Sequence, residues 1–380
     1  TASGKTLVAL LKTLSYPQNP ARDGKKVVYV VPLRALAKEK FDQFEAKLTP
    51  LGYSVGLSTG DLDSQADSLA LHDVLIVTSE KINSILIHSP ALVEKIGLAV
   101  IDEVHLLDDE ERGSTLEVVI TKLLLGSVRL LLLSATIPNY EELTKWINGK
   151  SVKSTYRPVK LRKGVAASSL VLDDGMTREL GEKTKLAQVV SLALSENNGA
   201  GQAIIFVSTR RSAESVAREL TAVVSKLLSV EQKQLCEGLS NKALKSLSVP
   251  TVQCRNLSAC IGGGIAFHHA GIEEKQRTII EDGFKHSRCI KLIVATTTLA
   301  MGIDYPASWV IIRDYKRFSG DFMTPISNLE IQQMLGRAGR PSYDKIGTGV
   351  IVCADSSVRE VQDKYFLGPL ENIYSKLSNE

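Results

Sequence analysis

LAVIDEVHLL, residues 98 to 107, begins as an unbroken apolar run and turns abruptly to two acids, Asp102 and Glu103. A strand with one wet face alternates apolar and polar residues. A strand that is apolar throughout is covered on both faces, as in a parallel sheet flanked by helices. The two acids then stand at the carboxyl edge of that sheet, where such folds bind ligands. Runs of the same kind recur as KVVYVV (26–31), DVLIVT (73–78) and RLLLLS (129–134), with helical stretches between them. A second set follows: QAIIFVS (202–208), GIAFHH (264–269), IKLIVAT (290–296), WVIIRD (309–314) and GTGVIVCA (347–354). The fold class is α/β, and the architecture occurs twice in tandem.

A chain of 380 residues suits two domains, each with its own core. With 44% hydrophobic and 23% charged residues, it has a globular composition, and no apolar stretch approaches the roughly 20 residues that cross a bilayer. The net charge of +4 is compatible with a polyanionic partner but does not demand one. Five cysteines without a C-x-x-C pair suggest neither a disulfide framework nor a zinc site, and read as buried thiols. Residues 148–165, NGKSVKSTYRPVKLRKGV, are polar and basic without helical period and read as the crossing between domains. The expected division is 1–155, 156–355, and a further helical or winged-helix module opening at 356–380. Residues 225–262 read as a helical excursion. Both ends read as cut, since the usual phosphate-loop pattern has a glycine upstream of Thr1. An intracellular location is expected, cytoplasmic in a prokaryote and nuclear in a eukaryote.

Chemistry is suggested at four places. TASGKT (1–6), followed by the buried-looking run LVALL, has the form of a phosphate loop: Gly4 admits a phosphate to the backbone, Lys5 reaches the β and γ phosphates, and Thr6 offers a Mg2+ ligand. Taken alone, it could also be a capped helix start, the lesser reading. Asp102 would hold Mg2+, directly or through water, and Glu103 would orient and deprotonate the water attacking the γ phosphate. SAT (134–136) ends the next strand, where the hydroxyls of Ser134 and Thr136 could couple phosphate occupancy to movement. QQMLGRAGRP (332–341) presents Arg337 and Arg340, guanidinium groups suited to stabilise charge on a transferring phosphoryl group.

In order along the chain, TASGKT, VPLRALAKEK (31–40), TSEK (78–81), DEVH, SAT, FVSTRR (206–211), FHHAGI (267–272), TTTLAMGIDYPA (296–307) and QMLGRAGR resemble the motifs of a superfamily 2 DExH-box helicase. DDEERGSTLE (108–117) and YRPVKL (156–161) are similar to segments of the Ski-like branch, and the whole resembles the archaeal repair helicases related to the helicase half of DNA polymerase theta. The resemblance implies two RecA-like domains gripping ATP, with Thr1, Ala2, Ser3, Gly4, Lys5, Thr6, Gly302 and Asp304 at the nucleotide. His105 and Gln333, with Ser134 and Thr136, would couple hydrolysis to movement. It implies strand contacts from Pro32, Arg34, Ala35, Leu36, Thr78 and Ser79 in the first domain, and from Ser208, Thr209, Arg210, His269, Gly271, Thr296 and Thr297 in the second. Many of these are small or hydroxyl residues, suited to phosphate and sugar rather than to bases. His268 and His269 could equally be core histidines closing a strand.

Apolar and aromatic runs around Ser319-Gly320-Asp321 read as a β-hairpin. By resemblance it would part the duplex with Phe318 and Phe322; an ordinary hairpin with packed aromatics is the alternative. The implied activity is ATP-driven translocation on single-stranded or forked DNA, 3′ to 5′, in repair or at stalled forks, by a monomer. An RNA helicase of the Ski-like kind is the near rival, because backbone contacts do not separate DNA from RNA. A nucleotide-gated scaffold without hydrolysis is a second, disfavoured by the intact Lys5, Asp102, Glu103, Arg337 and Arg340. A single-domain kinase would leave the second α/β set and its arginine pair unexplained.

Overall fold

The computed structural model describes residues 4–16, 24–60, 71–181, 184–297, 305–319, 322–341 and 343–377. The chain forms two compact units, Thr1–Tyr156 with Leu370–Glu380, and Arg157–Pro369.

In the first unit α1 (Lys5–Ser15) precedes β1 (Lys26–Val31), α2 (Arg34–Leu48), β2 (Val55–Ser58), β3 (Val74–Thr78), α3 (Ser79–His88), β4 (Ile96–Ile101), α4 (Gly113–Leu125), β5 (Arg129–Leu132) and α5 (Tyr140–Trp146). The strands pair in the order β2-β3-β1-β4-β5, all parallel. The inner strands β3 and β4 are buried along their whole length, as continuous apolar runs require. The edge strand β2 alternates in burial, and its four residues, VGLS, carry too short a pattern to be read from sequence. Helix α1 departs from the expectation for LVALL: Ala9 and Leu10 are buried, but Leu7, Val8 and Leu11 are exposed.

In the second unit come β6 (Lys160–Ala166), β7 (Ser169–Leu172), β8 (Thr177–Glu179), α6 (Lys185–Gly199), β9 (Ala203–Val207), α7 (Arg210–Lys226), α8 (Val230–Leu244), α9 (Val252–Gly262), β10 (Ile265–His268) and α10 (Glu274–Glu281). They are followed by β11 (Leu292–Thr296), β12 (Trp309–Ile312), the hairpin β13 (Lys316–Ser319) and β14 (Phe322–Pro325), α11 (Asn328–Leu335), β15 (Ile346–Val352) and α12 (Val358–Gln362). The sheet runs β10-β11-β9-β12-β15-β6-β7-β8, parallel as far as β6 and antiparallel beyond. The apolar runs seen in the sequence are β9, β10, β11, β12 and β15, five neighbouring strands at one side of the sheet.

Two segments differ from expectation. The stretch 148–165 is not crossing throughout: from Lys160 it is strand β6, paired to β15 along seven residues, because a parallel neighbour can satisfy the backbone of a basic, half-buried segment. Residues 356–380, expected to open a further module, divide between the two units. Tyr365 is buried in the second, its hydroxyl 2.9 Å from the Ile326 carbonyl. Ile373 belongs to the first, where its backbone carbonyl and amide bond the Asn139 side chain at 2.9 and 3.1 Å. All five cysteines are buried free thiols. Among the described residues no helix is long and apolar enough to cross a membrane.

Candidate nucleotide site and nucleic-acid edges

Gly4 has φ +84°, a left-handed backbone that favours glycine, and it turns the chain directly into α1 at Lys5. The first amides of that helix have no intrahelical acceptor and form the natural seat of an anion. Facing them, β4 runs into Asp102, whose amide is bonded to Val30 at 2.9 Å in continuation of the β1 pairing. Asp102 is 7% exposed; its Oδ2 accepts the Tyr29 hydroxyl at 2.8 Å and its Oδ1 the Glu103 amide at 3.0 Å. Burial and the neighbouring Glu103 push its carboxyl pKa up, opposed by Lys40, the Tyr29 hydrogen bond and Lys5.

Glu103 adopts φ 53°, a strained conformation for a residue with a side chain. It aims the carboxylate between two partners, Lys5 Nζ at 3.7 Å and His105 Nδ1 at 3.4 Å. His105 is buried, which pushes its imidazole pKa down, and its Nδ1 lies 3.5 Å from Ser134 Oγ. Lys5, Glu103, His105 and Ser134, drawn from three separate segments, thus form one chain of contacts. Thr136 does not join it; it is exposed and makes no hydrogen bond among the described residues.

Sequence reading missed two residues here, Tyr29 and Lys40. Lys40 is 8% exposed and its Nζ donates to Thr6 Oγ1 at 3.1 Å. Its signal was available: it lies on the stripe Leu36, Ala37, Phe44, Leu48 that α2 buries, and a lysine on such a stripe must find a partner inside. Thr1, Ala2, Ser3, Gly302 and Asp304 lie outside the described residues.

Beside this site the carboxyl ends of β1, β2 and β3 border a cavity of about 330 Å³. Of the expected strand contacts, Pro32, Arg34 and Thr78 line it; so do Thr59, Lys81, Ser84 and Arg112, which sequence reading had not singled out. The Thr78 hydroxyl caps α3 by accepting the Lys81 amide, and Lys81 Nζ donates to the Gly60 carbonyl at 2.7 Å. Arg112 has no side-chain hydrogen bond or ion pair among the described residues. Ala35 is half-buried. Leu36 and Ser79 are corrections: at 6% and 2% exposure both are packed inward and present no side chain to a ligand.

In the second unit Ser208, Gly271 and Thr296 follow or close β9, β10 and β11, neighbouring parallel strands, and so stand along one edge. Asp314, after β12, fixes Ser208 through its amide at 2.9 Å and its hydroxyl at 3.2 Å. Thr209 caps α7 and Arg210 is exposed. Thr296 is 8% exposed, and Thr297 half-buried. His269 departs from its expected role, its ring being 2% exposed, with Nδ1 accepting the Gly271 amide at 3.1 Å and Nε2 3.4 Å from Glu214. It shapes the turn that exposes Gly271.

The hairpin forms, with Ser319 opposite Phe322 and Phe318 opposite Met323 in register; Gly320 and Asp321 lie outside the described residues. Phe318 and Phe322 are 71% and 76% exposed, so they are not packed aromatics. Arg317 ties the hairpin to Glu330 on α11 at 3.0 Å.

The two arginines differ. Arg340 is 4% exposed and wholly engaged within its own unit: Nε and Nη2 grip the Asp344 carboxylate, each at 2.8 Å, and Nη1 reaches Gln202 at 2.9 Å. This corrects its reading as a free finger, since a guanidinium in a buried bidentate pair leaves that pair only at high cost. Arg337 is buried one turn earlier, on a loop that Arg157 braces through the carbonyls of Gly336 and Ala338, at 3.2 and 2.7 Å. Gly347 is required there, because a Cβ would collide with the backbone of Ala338 and Gly339. Gln333 is half-buried on α11.

The DEAD/DEAH box helicase family profile matches residues 1–143, and that of the helicase conserved C-terminal domain matches 184–342. The chain is similar to the ATP-dependent DNA helicase Hel308 of Methanococcus vannielii, 40% identical over 392 residues, covering 100% of this chain and 51% of the relative. It is 42% identical to Hel308 of Pyrococcus abyssi over 381 residues, with 100% and 51% covered, and 39% identical to that of Thermoplasma acidophilum, with 100% and 53% covered. The chain spans about half the length of these curated relatives. With both profiles in order and this likeness running along the whole chain, it belongs to the superfamily 2 DEAD/DEAH box helicases, in the branch that holds Hel308.

Proposed function

We propose that the chain is the ATP-hydrolysing motor of a DNA helicase that moves 3′ to 5′ on single-stranded DNA and opens forked duplexes, in repair or at stalled forks. One observation carries the reading: Glu103, held between Lys5 and His105, is tied through His105 to Ser134. A general base for water needs that poise, and a motor needs its base connected to groups that can move. The relatives are ATP-dependent DNA helicases by name, which supports DNA as the track.

The residues fit Mg2+ shared with a triphosphate. Asp102 and Thr6 offer one carboxylate and one hydroxyl, and among the described residues no cluster of three or more His, Cys, Asp or Glu makes a dedicated cage. Magnesium in such sites takes one or two protein groups and completes its shell with phosphate and water. When bound, the ion would neutralise charge on the phosphate oxygens. Glu103 would hold the attacking water and accept its proton, and Lys5 would hold the phosphate end; in the second unit Arg337 is the guanidinium offered to a phosphoryl group, with Arg340 holding the loop that carries it. The hydroxyl and amide groups along the strand edges would hold sugar and phosphate, with Phe318 and Phe322 at the point of separation.

The test is ATPase activity with and without single-stranded DNA or RNA, and unwinding of matched DNA and RNA duplexes with either overhang. DNA stimulation and unwinding from a 3′ overhang are expected. Stimulation by RNA alone would move the reading to the RNA class, and no stimulated hydrolysis would overturn it.

A further inference from the structure

Lys40 stands beside the phosphate loop with no role assigned so far. It is a charged residue on the inward stripe of α2, 8% exposed, where an ammonium loses most of its hydration. The fold compensates by placing Nζ 3.1 Å from Thr6 Oγ1 and 3.8 Å from Glu39 Oε1. Thr6 is one of the two groups that fit Mg2+. A core lysine aimed at a surface carboxylate would be packing; one aimed at a metal-binding hydroxyl competes with the metal for the same negative environment.

We propose that Lys40 is a positioning residue of the nucleotide site, whose ammonium occupies the Thr6 hydroxyl and supplies positive charge there before the divalent cation arrives, and so sets the cation concentration at which the site loads. The proposal rests on the ATP and Mg2+ reading above. Like charges compete, so the cation binds less tightly beside the ammonium than it would without it. Without the ammonium, Asp102 and Glu103 leave the cation-free site more repulsive to a polyphosphate.

The test uses Lys40→Met, which keeps the length and removes the charge, and Lys40→Arg, which keeps the charge. Mn2+ binding is read by electron paramagnetic resonance with ADP present, and binding of a fluorescent ADP analogue is read in EDTA and in Mg2+. For Lys40→Met, Mn2+ should bind about tenfold tighter and the analogue in EDTA about tenfold more weakly, with Lys40→Arg near wild type. Unchanged Mn2+ affinity in Lys40→Met would overturn the proposal. So would a parallel loss of melting temperature and all binding that Lys40→Arg does not rescue, which would mark packing alone. Loss of single-stranded DNA binding with unchanged Mn2+ affinity would place Lys40 in the DNA groove instead, and overturn it as well. A wild-type chain that binds no nucleotide would sink the underlying reading, an outcome distinct from any of these.

Discussion

The Glu103 carboxylate lies 3.4 Å from the His105 imidazole, two residues on, because Glu103 takes a left-handed backbone that folds its side chain back over the short helical turn beginning at Val104. On its other side the same carboxylate meets Lys5. For Glu103→Gln, DNA-stimulated hydrolysis should fall by about 10²–10⁴-fold, the usual contribution of a general base. Binding of ATP and of single-stranded DNA should persist, and an unchanged turnover rate, measured by phosphate release, would remove Glu103 as the base.

Arg340 and Asp344 make a closed pair, with side chains 5% and 1% exposed. Asp344→Ala should cost about 3–5 kcal/mol in denaturant unfolding, because it strands a buried charge. The double change Arg340→Met with Asp344→Leu should recover much of that loss. Arg337→Ala, by contrast, should lower turnover by more than its effect on stability explains. Equal loss of turnover and stability in both would erase the distinction between the arginines.

Arg112 borders the cavity with Arg34 and Thr78 and has no ion pair among the described residues. If it contacts one phosphate, Arg112→Ala should weaken single-stranded DNA binding uniformly across sequences. The slope of log affinity against log salt should shrink by about 1. A salt titration of fluorescence anisotropy reads both.

Phe318 and Phe322 bury little surface, so replacing both with alanine should change stability by less than about 0.5 kcal/mol. Duplex unwinding should drop while DNA-stimulated ATPase persists. Full unwinding by that variant would return the hairpin to an ordinary surface feature.

His268 ends β10 with both ring nitrogens buried and unpartnered among the described residues. Burial, with Arg277 and His269 nearby, holds its pKa down at about 4. The unfolded chain therefore binds the proton first as pH falls. Stability is unaffected above about pH 6.5 and declines from there towards pH 4, by up to about 3 kcal/mol from this group. His268→Leu should flatten that part of the curve, measured by urea unfolding at intervals between about pH 4 and 7.5, and an unaltered slope would assign the acid sensitivity elsewhere.

Much of the fold was legible because burial on both faces leaves a local trace. KVVYVV and DVLIVT had to be inner strands of a covered sheet, and their neighbours follow from that. The edge strand β2 and the strand β6 left weaker traces, because each is only partly covered and carries glycine or basic residues that interrupt the apolar run. Within the site, the ordered motifs pointed to Lys5, Asp102, Glu103, His105 and Ser134. They pointed as readily to Leu36, Ser79, Thr136 and His269, whose exposure or burial no motif records.

What the order of residues determined by itself was periodicity and the chemical kind of each group, since both depend on near neighbours along the chain. Partnership was decided only by the tertiary structure. Lys40 meets Thr6 across 34 residues, and Tyr29 meets Asp102 across 73. A buried charge or hydroxyl must be satisfied by whatever the packed sheet brings within about 3 Å, and that choice is made by strand order, not by sequence spacing.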